Sequence, residues 1–148
     1  MELTSPAFSD GDPIPEQYGY TEANVNPPLD VDGVPDGAVS LVLVMDDPDA
    51  VEPAEKVWDH WVVWNVDPNT SRIPEDWSAT GATEGRNDYD ERGYGGPNPP
   101  DRPHTYRFRL YALDAEPAIE AGATKDDLQA AMEGHVLAES ELTGTYAP

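Results

Sequence analysis

Cysteine is missing from the chain altogether, which removes a disulfide framework, thiolate metal ligands and a cysteine nucleophile together. Basic residues are scarce. Eight Lys and Arg stand against thirty Asp and Glu, and Lys56 and Lys125 are the only lysines. Contacts to a phosphate backbone need clustered cations, so nucleic acid is not expected as a partner. No apolar run approaches the roughly 20 residues of a membrane span. The opening Met1-Glu2-Leu3-Thr4-Ser5-Pro6 lacks the basic and apolar segments of a secretory leader. The expectation is a soluble, cytoplasmic protein. Nucleophile-elbow, P-loop, His-Glu-x-x-His and dinucleotide signatures are absent too.

Acid is what the chain has in excess. The formal charge is −22 over 148 residues, far beyond the magnitude of about 2–8 that suits a small domain. The acids lie all along the sequence rather than in a tail. Screening falls to roughly 3 Å at 1 M salt from about 10 Å at 0.1 M, so such repulsion is tolerable in a halophile's cytosol. Four tryptophans, seven tyrosines and several periodic apolar runs argue for a packed core rather than an acidic disordered chain. The length suits one domain spanning 1–148.

Sixteen prolines and twelve glycines fall mostly between short apolar runs, the pattern of strands joined by loops. Ser40 to Met45 is a continuous apolar run, as expected of a strand buried on both faces. Trp58 to Val66 is aromatic and β-branched, and a period of two puts Trp58, His60, Val62, Trp64 and Val66 on one face. From Tyr106 to Leu113, Tyr106, Phe108, Leu110 and Ala112 share one side, with Arg107 and Arg109 outward on the other. Thr124 to Asp127 resembles a capping box before a short helix with Leu128, Ala131 and Met132 on one face and Gly134 as its stop. Val136 to Leu142 alternates as a closing strand. The stretch from Asp67 to Pro103 has little periodicity, and a loop of that length is expected to be functional or disordered.

Several residues could carry chemistry, and each has a plain alternative. Asp47-Pro48-Asp49 ends the buried strand with two carboxylates in fixed directions, yet Asp and Pro are also turn residues. His60 reads equally as a core histidine, and His104 as a loop residue. The run Gly93-Tyr94-Gly95-Gly96-Pro97 is a turn or a backbone anion nest. Their order is more specific than any one of them. A strand leads to Asp-Pro-Asp, then come His-Trp on a strand, a glycine loop ending in prolines, and Pro-His-x-Tyr opening another strand.

That order resembles the phosphatidylethanolamine-binding proteins, also called Raf kinase inhibitor-like proteins, and is most similar to their bacterial and archaeal branch. The likeness runs nearly end to end. It includes Leu3-Thr4-Ser5-Pro6-Ala7-Phe8, Asn24-Val25-Asn26-Pro27-Pro28-Leu29, Asp47-Pro48-Asp49-Ala50, His60-Trp61-Val62, Gly93-Tyr94-Gly95-Gly96-Pro97, Pro103-His104, Leu110-Tyr111-Ala112-Leu113-Asp114 and Met132-Glu133-Gly134-His135-Val136-Leu137-Ala138. The resemblance implies a mainly β fold, a β-sandwich of two antiparallel sheets with Greek-key links and a few short helices. It also implies one small pocket for a phosphate-like anion or a phospholipid head group, lined by Asp47, Asp49, Trp58, His60, Gly96, Pro97, His104 and Tyr106. Two departures stand out. Val51 and Glu52 separate the Asp-Pro-Asp-Ala motif from Pro53, lengthening the loop to Trp58, and Asn98 occupies the place of the cysteine common in this branch.

In such a pocket the donors would be the imidazoles of His60 and His104, the Tyr106 hydroxyl and the Gly95 and Gly96 amides. Asp47 would accept from His60 and favour its protonated form, and Asp49 would take a ligand hydroxyl or amine. The sequence therefore favours a binding module over an enzyme, with no cofactor and no metal, acting on a kinase or protease partner as relatives do. A homodimer stays open. Two rivals remain: a metal-dependent hydrolase built on two histidines and an aspartate, and a protein-interaction module with a vestigial pocket.

Overall fold

The computed structural model describes all residues, Met1–Pro148. It is mainly β, with strands β1 (Glu2–Thr4), β2 (Leu29–Asp32), β3 (Ser40–Asp47), β4 (Trp58–Val66), β5 (Arg72–Ile73), β6 (Thr83–Glu84), β7 (His104–Leu113) and β8 (Val136–Tyr146). Two helices, α1 (Val51–Ala54) and α2 (Lys125–Met132), and two single 3-10 turns complete it. The strands form two antiparallel sheets, one ordered β1-β2-β5 and the other β6-β4-β3-β7-β8. No helix is long and apolar enough to cross a membrane.

All eight residues of β3 are buried, because this strand is central in the larger sheet and covered on both faces. Its inward residues Leu41, Leu43 and Met45 join Phe108 and Leu110 of β7 and Leu29, Val31 and Ile73 of the small sheet in the main core. Val42 and Val44 face the other way and pack with Leu128 and Met132 of α2. This helix forms where its ends require it. Thr124 and Asp127 make a reciprocal capping box, and Gly134 takes φ +81°, a left-handed conformation that suits glycine.

The simple alternation expected along β4 is not what the chain adopts. Met45 pairs with Trp61 but Asp46 pairs with Asp59, so His60 is an extra residue. A second irregularity lies between the Leu41–Val66 and Leu43–Val63 pairs, where Asn65 takes φ +55°. Each bulge resets which side the next residue faces. Trp61, Val63 and Val66 therefore lie in the main core, Val62 and Trp64 pack under α2, and Trp58 and His60 turn toward a cavity at the strand end.

Arg107 and Arg109 lie on the face of β7 away from the main core, as expected, but they are engaged rather than free in solvent. Both reach fully buried Asp46, with Nε of Arg107 at 2.8 Å and Nη2 of Arg109 at 2.9 Å, while Lys125 of α2 bonds Asp59 at 2.6 Å and lies 3.3 Å from Asp46. Burial by itself would raise the Asp46 pKa. The Arg107 hydrogen bond and the charges of Arg109, Lys125 and Arg107 outweigh it and hold the carboxyl below its ordinary range. The stretch from Asp67 to Pro103 is ordered and anchored by β5 and β6, whose Ile73 is buried.

Candidate functional site

At the edge where β3, β4 and β7 present Asp47, Trp58, His60, His104 and Tyr106, these five side chains line one cavity of about 250 Å³. Ala50, Pro53 and Ala54 wall it from one side. That wall is the end of the Asp-Pro-Asp-Ala motif, a 3-10 turn over Pro48–Ala50, together with the lengthened loop after it, which opens as α1. Asn98, Pro99 and Pro100 close the opposite side, with Tyr89 between them and β4. Arg102 bonds Glu52 of α1 at 2.9 Å and so ties one wall to the other.

The expected partnership of Asp47 with His60 is not formed. Asp47 Oδ2 accepts from His104 Nδ1 at 2.6 Å, its Oδ1 accepts from the Asp49 amide at 2.9 Å, and His104 Nε2 lies 2.8 Å from Asp101 Oδ1. The register decides this, because Asp47 is at the end of β3 while the bulge turns His60 toward the glycine loop. A neutral imidazole can donate from one nitrogen only, so the two carboxylates together call for the doubly protonated ring. Burial would lower the His104 pKa, but hydrogen bonds to Asp47 and Asp101 and their charges raise it.

His60 behaves in the opposite way. Its Nδ1–H donates to the Gly95 carbonyl at 2.7 Å, and burial lowers its pKa despite that bond and the charge of Asp47. The imidazole at the cavity floor is therefore held neutral, whereas the sequence suggested a protonated one. Its ring stands edge-on to Tyr106, centroids 5.2 Å apart. Burial, then the Asp47 charge, push the Tyr106 hydroxyl far above its ordinary pKa, so it keeps its proton. Trp58 Nε1 is buried without a hydrogen-bond partner, and Tyr106 Oη makes no well-formed hydrogen bond although the Asp47 carboxylate and the Asn98 backbone lie near it.

The remaining expected residues lie elsewhere. The Gly95 amide donates to the His60 carbonyl at 2.9 Å and the Gly96 amide to Asn24 Oδ1 at 2.8 Å, so the glycine loop is not an anion nest. Its glycines serve close packing instead. A Cβ on Gly96 would meet the Tyr18 carbonyl at 2.1 Å, and one on Gly95 the Tyr89 ring at 2.5 Å. Pro97 faces a neighbouring surface groove rather than the cavity. Asp49 does not line the cavity, and its Oδ2 accepts from the Thr105 amide at 2.9 Å, joining the turn to β7. No group of three or more His, Asp or Glu side chains converges in a metal-holding arrangement.

Comparison with known proteins decides the family. The model of the family described as phosphatidylethanolamine-binding protein matches residues 4–147. The chain belongs to the phosphatidylethanolamine-binding protein family. Among its relatives are a UPF0098 protein of Methanothermobacter thermautotrophicus, 46% identical with 99% of this chain and 98% of that one covered, and a UPF0098 protein of Chlamydia trachomatis, 45% identical with the same coverage. A crystal structure of a putative family homolog from Chlamydia trachomatis superposes with a TM-score of 0.93 at 44% identity, covering 98% of this chain and 95% of that one. The crystal structure of Escherichia coli YbcL, described as a new member of the mammalian PEBP family, gives 0.89 at 29%, covering 98% and 96%. These relatives fit the bacterial and archaeal branch, and membership in a family named for binding phosphatidylethanolamine supports a ligand-binding role at that coarse level.

Within this family member, Tyr89 and Asp101 are site residues that sequence reasoning missed. Tyr89 lies in the aperiodic stretch, where no pattern marks it. Asp101 had one usable signal, a carboxylate three residues before His104 in a proline-bounded loop.

Proposed function

We propose that the chain is a binding module for a small phospho-ligand, an inorganic phosphate or a phosphoryl group on a small molecule, held in the Trp58–His60–Tyr106 cavity. The observation that carries this reading is the pair of buried, unpartnered donors, Trp58 Nε1–H and Tyr106 Oη–H, beside a cavity of about 250 Å³. Buried polar groups are nearly always bonded, so two open donors in one small cavity are best explained by a ligand that accepts from both. The volume lies just under the usual range for drug-sized ligands, which suits a small ligand with room for more than a bare phosphate.

The family supports the same reading coarsely. A metal-dependent hydrolase is less well supported, since His104 is taken by two carboxylates and only His60 keeps a ring nitrogen without a protein partner. A binding role also fits better than an enzymatic one: a buried histidine with a lowered pKa is a weak base, and no Ser, Thr or Cys lines the cavity with it. Any action on a kinase or protease partner would run through occupancy of this cavity.

Calorimetric titration with inorganic phosphate in molar salt tests the proposal, comparing wild type with Tyr106→Phe. The variant removes one open donor and leaves the ring. Binding should weaken by about 1.5–3 kcal/mol, the range for a hydrogen bond to a charged group, while stability stays level or rises because no internal bond is lost. Equal affinity in the two proteins would count against the assignment.

A further inference from the structure

The polar groups around the cavity differ in kind, and the difference selects among oxyanions. The Trp58 indole can only donate, and Tyr106, fully buried, offers its hydroxyl proton. His60 is of another kind. The Gly95 carbonyl 2.7 Å from its Nδ1 can only accept, so the ring proton sits on Nδ1 and Nε2 carries a lone pair. That Gly95 bond is the ring's one well-formed hydrogen bond within the protein, with the Gly96 backbone close by, and the ring is 2% exposed where it lines the cavity beside Tyr106. The Asp47 carboxylate lines the same cavity and adds a second acceptor. A ligand meeting this wall needs a proton of its own.

Resting on the phospho-ligand reading, we infer that the cavity selects inorganic phosphate or a phosphomonoester that retains one P–OH, donated to His60 Nε2, while its ionised oxygens accept from Trp58 and Tyr106. The second pKa of a phosphomonoester is about 6, so near neutral pH a useful fraction keeps that proton, and the Asp47 charge favours the protonated form. Sulfate has no such proton. A phosphodiester, such as the phosphoethanolamine head group of a phospholipid, has its second oxygen esterified. Either would set an anionic or ester oxygen against the His60 lone pair and leave a buried acceptor unpaired, the kind of mismatch that sites built on hydrogen bonds reject strongly.

The experiment is a selectivity series on the whole chain at pH 6.5 in molar potassium chloride. Inorganic phosphate, methyl phosphate, dimethyl phosphate, glycerophosphoethanolamine and sulfate are titrated in turn by calorimetry. Phosphate and methyl phosphate should bind, with sulfate and both diesters at least about tenfold weaker. In His60→Gln, checked for folding by circular dichroism, the carboxamide can turn an N–H toward the cavity, and the gap between phosphate and sulfate should narrow. Sulfate or dimethyl phosphate binding as tightly as phosphate to wild type would overturn the selectivity and leave the phospho-ligand reading standing. Failure of all five to bind would overturn both.

Discussion

His60 and His104 line one cavity and are driven in opposite directions by their neighbours. His60 donates to a carbonyl and is desolvated, which lowers its pKa, while His104 sits between Asp47 and Asp101, whose bonds and charges raise its own. The consequences for stability have opposite signs. Because the folded chain holds His60 below its unfolded value near 6.5, its contribution is complete above that pH and declines as pH falls below it. His104 is held above the unfolded value, so its contribution is complete below pH 6.5 and is lost as pH rises through the folded pKa. Imidazole resonances followed by NMR should show one buried histidine titrating below 6.5 and keeping the Nδ1–H tautomer, the other above. A His60 midpoint at or above 6.5 would contradict the geometry described for the cavity floor.

The strands β3, β4, β7 and β8 and the helix α2 could be read from the sequence because hydrophobic periodicity and capping chemistry are local. What could not be read was which way β4 faces. Two bulges, at His60 and around Asn65, depend on the pairing with β3, and nothing between Trp58 and Val66 marks them. The same limit applied to ionic partners. Arg107 and Arg109 had the outward parity expected, but their side of the sheet also holds Asp46, and Lys125 on α2 completes a cluster that joins β3, β7 and the helix. For the cavity, Asp47, Trp58, His60, His104 and Tyr106 were legible as a constellation. The partner of each was not, since β-strand register alone brings Asp47 to His104 and leaves His60 to Gly95. Asp49 and the glycine loop turned out to brace the site through backbone bonds.

Across the molecule the acidic excess is a surface property, because Asp46 and Asp47 are the only buried acids among thirty. Ion pairs relieve little of it with eight Lys and Arg available. We propose that the chain works at molar salt, where screening shortens to roughly 3 Å. Dilution to about 0.1 M should then lower the melting temperature, and a melting temperature indifferent to that change would rule the proposal out.

The charge also bears on binding. An oxyanion approaches a protein of formal charge −22, so capture depends on screening and on the local donors, and the titrations belong in high salt. Among those donors Trp58 reports most directly, because it lines the cavity and its indole N–H has no partner within the protein, while that of Trp61 is bonded to Glu84 at 2.9 Å and Trp64 lies on the far face of the sheet. The decisive measurement is a phosphate titration of 15N-labelled protein at molar salt, following the indole N–H resonances. The Trp58 signal should move saturably, as a proton entering a charge-assisted hydrogen bond does, with those of Trp61, Trp64 and Trp77 unchanged. A Trp58 resonance that stays fixed, or that only drifts with the others as ionic strength rises, would contradict phosphate binding in this cavity.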